Sequence, residues 1–147
     1  MNSLSRCFQS VCGFLVVASL AGCNDGRPGR VPVTGKVLID GVPLAYGQIL
    51  FHATDHRPAT GKIQPDGSFE LATYERGDGC VVGKHVVTVH GGEAINATTM
   101  LWHSPPKYSE AARSELFTEV VEGGGPVTIE LTWGGGKPFK ERISGGE

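Results

Sequence analysis

Cys23 is the residue of this chain best placed to do chemistry. It follows an apolar run from Cys12 to Ala21, with the small residues Ala21 and Gly22 just before it. Small side chains let an extended backbone enter a peptidase cleft. A thiol delivered there as a thiolate is a nucleophile that can take a diacylglycerol group. Two or three acyl chains anchor a protein stably where one chain is marginal.

The other chemical groupings are weaker. His52, Asp55 and His56 fall within five residues, and imidazole with carboxylate ligates divalent ions. The same triplet also reads as a hydrated loop, since one loop gives three ligands no fixed scaffold. His85 and His90 are separated by an odd number of residues on a strand-like run, so they face opposite sides and cannot share a metal. Trp102, His103 and Tyr108 lie in a long connection and could stack on a sugar or peptide. The alternative is that Trp102 and Tyr108 simply cover an open end of the fold. Asp66, Glu70, Asp78 and Glu119 are scattered through turns and outward positions, with nothing to set two of them at the ~5–10 Å that paired carboxylates need.

The elements that must position these residues read as short strands. Val33, Gly35, Val37 and Ile39 alternate with Thr34, Lys36 and Leu38 over 33–39. Asp40-Gly41 is a hairpin signal, because both residues tolerate positive φ. Further strands are expected over 47–51, 59–64, 68–72, 84–90, 116–121 and 127–133, with Pro65-Asp66-Gly67 as a tight turn. Residues 92–115 read as one long connection, with a single helical turn capped by Ser109. Seven short strands at close spacing predict an all-β chain, a seven-stranded antiparallel β-sandwich.

The chain has 147 residues, enough for one domain with a buried core, and 22 of them are Gly, about twice the average share. Net charge is −2, and no basic patch stands out, so nucleic acid is not an expected partner. The run from Cys12 to Ala21 suits an export signal and is too short to span a bilayer. The resulting boundaries are a signal segment at 1–22, a Gly- and Pro-rich flexible tether at 23–32, a β domain at 33–133 and a disordered tail at 134–147. With Cys23 acylated and Cys7 and Cys12 removed, Cys80 has no partner within the mature monomer. It reads as a small side chain in a loop or at a strand start, an intermolecular disulfide being the alternative.

Leu20-Ala21-Gly22-Cys23 resembles the lipobox of bacterial lipoproteins. The stretches V-T-G-K-V-L-I-D-G-V-P-L-A-Y-G-Q-I-L-F (33–51), G-K-I-Q-P-D-G-S-F-E-L (61–71) and G-D-G-C-V-V-G-K-H-V-V-T-V (77–89) are similar to carboxypeptidase regulatory-like domains. So are P-P-K-Y-S (105–109) and S-E-L-F-T-E-V-V (114–121). The resemblance covers most of 31–133 and implies a prealbumin/transthyretin-like sandwich without catalysis of its own. Residue 85 is His where such domains often carry an aromatic residue such as Tyr. Transthyretin-like hydrolases of purine breakdown end in Tyr-Arg-Gly-Ser, whereas this chain ends Ile-Ser-Gly-Gly-Glu, so that activity is not expected.

The first functional expectation is therefore a non-enzymatic module of the bacterial cell envelope. It is held on a membrane through Cys23, needs no cofactor, and has an envelope protein or a glycan as partner. The second is a carbohydrate- or peptide-binding module using Trp102 and Tyr108. The third is a metal-dependent hydrolase around His52 and His56.

Overall fold

The structure is a computed structural model that describes residues 26–143. The lipidation expectation at Cys23 lies outside the described residues. Thirteen strands and one short 3₁₀ turn, Pro106–Ser109, are found among them.

The first four-stranded sheet is built on β2 (Thr34–Ile39). It pairs antiparallel with β3 (Val42–Pro43) and β6 (Ser68–Glu70), and parallel with β12 (Val127–Leu131). The parallel pair departs from the all-antiparallel expectation. β12 is far from β2 in sequence and reaches it by a crossover from the other sheet, which is the connection parallel strands require. The turn between β2 and β3 forms at Asp40 and Gly41, with φ of 48° and 80°. Asp40 also accepts from the Thr132 hydroxyl at 2.7 Å and from Trp133 N–H at 3.2 Å, tying that turn to the end of β12.

The second sheet is antiparallel throughout and runs β11 (Leu116–Val120), β8 (Gly83–His90), β4 (Gln48–His52) and β5 (Ala59–Lys62). Its inward residues, Ile49, Phe51, Val87 and Val89, share one core with Val37, Ile39, Phe69, Ile129 and Leu131 of the first sheet. Phe51 and Phe69 meet across that core at a ring separation of 6.2 Å. Gly35 is a close approach, since a Cβ there would fall on the Val127 carbonyl and the Phe69 ring. The result is an all-β, sandwich-like architecture.

The two sheets are not separate. Thr60 and Ala72 exchange backbone hydrogen bonds of 2.8 and 2.9 Å, and Gln64 N–H donates to Ser68 C=O at 2.8 Å. The backbone ladder therefore runs on from β5 to β6.

Seven strands lie where alternation places them; the remaining six arise in segments expected to be irregular. The long connection over 92–115 contains a hairpin, β9 (Gly92–Asn96) and β10 (Thr99–Trp102). The expected disordered tail supplies β13 (Phe139–Arg142), which pairs antiparallel with β10. Phe139 packs edge-on against Trp133 at 6.3 Å, and Ile143 N–H donates to Thr98 C=O at 2.9 Å. These contacts come from distant residues, so the polar composition of the tail gave no sign of them. The expected tether is shorter than drawn, because β1 (Arg30–Val31) pairs with β7 (Cys80–Val81). The helical turn ends at Ser109, whose hydroxyl donates back to Pro106 C=O at 2.6 Å, so Ser109 does not cap its start.

Candidate functional site

The two aromatic residues expected to contact a ligand are both buried, a correction to that expectation. Trp102, at the end of β10, donates its indole N–H to Glu141 at 2.7 Å and stands edge-on to His90 at 5.5 Å. Tyr108 lies in the 3₁₀ turn and belongs to the core. Its hydroxyl donates to Thr132 C=O at 3.3 Å and accepts Thr132 N–H at 3.1 Å. Each ring is enclosed at the surface of the sheets and its polar end is taken. They clamp the tail strand and one end of the sandwich.

The His52 triplet is not assembled. His52 ends β4 and its Nε2 meets the Thr88 hydroxyl of β8 at 2.9 Å. Burial, then repulsion from nearby His85, hold its imidazole below the usual range. Asp55 and His56 stand exposed in the following loop. Among the described residues, no group of three His, Cys, Asp or Glu side chains could hold a metal ion.

Folding brings together one pair that the sequence kept apart. Cys80 Sγ lies 3.6 Å from His85 Nε2 and 3.9 Å from Nδ1. Nε2 is also 2.8 Å from Val81 C=O, and a carbonyl can only accept, so Nε2 carries a proton toward that carbonyl. A Cys–His pair is an activated nucleophile only if the thiol ionises. Here burial pushes the Cys80 thiol up to about 11, and its surface is 1% exposed. The pair is a closed core contact.

The four singled-out carboxylates separate into two kinds. Asp66 accepts the Ser68 hydroxyl at 2.6 Å and Ser68 N–H at 3.0 Å, and these bonds hold its carboxyl below the usual range. For Asp78, burial alone would raise the carboxyl. It is outweighed by N–H donors from Thr73, Tyr74 and Glu75 at 2.7, 3.1 and 3.2 Å and by Arg30 at 3.0 Å, so the carboxyl lies below its usual range. Both are turn fasteners. Glu70 and Glu119 face outward from β6 and β11.

Sequence reasoning missed the polar cluster that forms around His103 beside the second sheet. Tyr46, just before β4, stacks on His103 with ring centroids 5.0 Å apart. His103 Nε2 meets the Glu93 carboxylate at 2.6 Å. A cavity of about 260 Å³ beside them is lined by Tyr46, Gln48, Lys62 and His90 together with Gly47 and Gly92. Gly47 admits the close passage of β8, since a Cβ there would lie 2.6 Å from the His90 carbonyl. The Glu93 carboxylate fixes the His103 ring at Nε2. Among the described residues, no hydroxyl or thiol is hydrogen-bonded to His103, so the arrangement offers a fixed imidazole and an exposed phenol for contact. Of these residues, only His103 and His90 stand out in the sequence. Tyr46, Gln48 and Lys62 meet them through strand register, which no local pattern encodes.

No family model, no curated protein and no solved structure matches the chain.

Proposed function

We propose that this chain is a bacterial lipoprotein, held on a cell-envelope membrane through an acylated Cys23. Its prealbumin/transthyretin-like, carboxypeptidase regulatory-like domain acts as a non-enzymatic display module. The observation that carries this reading is Leu20-Ala21-Gly22-Cys23 at the end of a short apolar run. The position of β1 sets the geometry of such an anchor. From Cys23 to the first paired residue, Arg30, the chain can reach at most about 25 Å, so the domain would ride close to the bilayer.

Expression in a bacterial host fed an alkyne palmitate analogue tests the anchor. The protein is expected to take the label and fractionate with membranes, and Cys23→Ser is expected to lose both. An unlabelled wild-type protein, or label that survives Cys23→Ser, would overturn the reading.

A further inference from the structure

The strand registers place a row of outward polar side chains across both sheets. His90 of β8 stands opposite Gln48 of β4, and Gln48 stands opposite Lys62 of β5. The Thr60–Ala72 bridge and the Gln64–Ser68 bond set Lys62 opposite Glu70 of β6. Glu70 in turn stands opposite Thr34 of β2. All five side chains belong to exposed residues. The row crosses five strands, and four steps of ~4.8 Å give it a length of about 19 Å. It is continuous only because the β5–β6 ladder joins the two sheets.

Surface relief follows the same line. Three cavities of about 690, 320 and 260 Å³ lie along it. The first and second share Gln64, Glu70 and Arg76, and the second and third share Lys62. Together they make one open track. On a chain of net charge −2, this track is lined by three cations, Lys36, Lys62 and Arg76, against one carboxylate, Glu70; Asp66 lies within electrostatic reach of Lys36, and Glu93 is held on His103 beside one end. Hydroxyls and amides fill the intervals. Tyr46 and the His90 ring close one end.

We infer that this track binds an acidic polysaccharide, its carboxylates set against Lys36, Lys62 and Arg76 and its hydroxyls against the threonine and glutamine side chains. A single-stranded nucleic acid also carries negative charge, but it needs successive exposed rings for its bases. Here the exposed rings sit together at one end. The inference gives a ligand class to the display module proposed above and rests on that reading, yet the track itself does not involve the lipid.

The test uses the lipid-bearing chain purified in detergent, and the Cys23→Ser protein beside it, with binding measured by calorimetry. The probes are polygalacturonate, neutral dextran and oligo-dT. Polygalacturonate is expected to bind both proteins equally, more weakly as salt rises. The Lys62→Gln/Arg76→Gln double variant should weaken it at least tenfold, while Lys140→Gln, on β13 and off the track, leaves it unchanged. Absence of binding to polygalacturonate, equal binding of dextran or of oligo-dT, or an unaffected double variant would overturn the inference. A wild-type chain that takes no acyl label yet still binds polygalacturonate would overturn only the anchor.

Discussion

At the scale of single residues, the groups able to do chemistry divide by environment. Cys80 and His85 have the right types for a nucleophilic pair, but the thiol is buried and its proton is retained to about pH 11 against an ordinary value of 9.0. Iodoacetamide at pH 8 is therefore expected to modify Cys80 in the folded protein at least ~100-fold more slowly than in urea, as read by peptide mass mapping. Equal rates would show that the thiol is open. The linkage has a definite sign. Folding favours the protonated thiol, so its stabilising contribution is whole below about pH 9 and is lost as the pH climbs towards 11. The sequence exposed the residue types here. It did not expose the pairing, because hydropathy does not say that the His85 ring turns back to Cys80 and the Val81 carbonyl.

Among the elements, those with strict alternation were legible and those without it were not. Val33 to Ile39 bury every second residue, Val127 to Leu131 bury Ile129 and Leu131 with Val127 half-buried, and period-2 hydropathy reports that directly. β9, β10 and β13 carry mixed polar and apolar residues on both faces, and their order comes from one another. Trp102 and Glu141, 39 residues apart, are the clearest example. Deleting residues 137–147 should therefore uncover Trp102 without unfolding the core. In a Trp133→Phe background, Trp102 emission is expected to move to the red. The urea midpoint of the core should fall by no more than the equivalent of about 1–2 kcal/mol, the scale of the hydrogen bonds removed. Unchanged emission, or collapse of the whole domain, would contradict this assignment of β13.

Taken whole, the molecule is one core wrapped by two sheets that share a backbone ladder at β5 and β6, with the β9–β10–β13 sheet attached at one end. Such a body should unfold as a unit while the attached sheet opens on its own. In native-state hydrogen exchange, β2, β4 and β8 amides are expected to exchange together at the global free energy. Those of β10 and β13 should exchange through a smaller opening. Separate exchange of the two four-stranded sheets would show that the β5–β6 ladder does not couple them. By itself the sequence determined the all-β class, the places of seven of the thirteen strands found among the described residues, and the turn at Asp40-Gly41, because periodicity and turn chemistry are written within a few residues. It also carries the Cys23 reading, which depends on local composition alone. Only the tertiary structure decided that Trp102 and Tyr108 are enclosed and that the tail is a strand. It likewise decided that His90, Gln48, Lys62, Glu70 and Thr34 form one line. Each of these depends on register between segments far apart in the chain, and a strand's own sequence states which face is buried but not which residue will stand beside it.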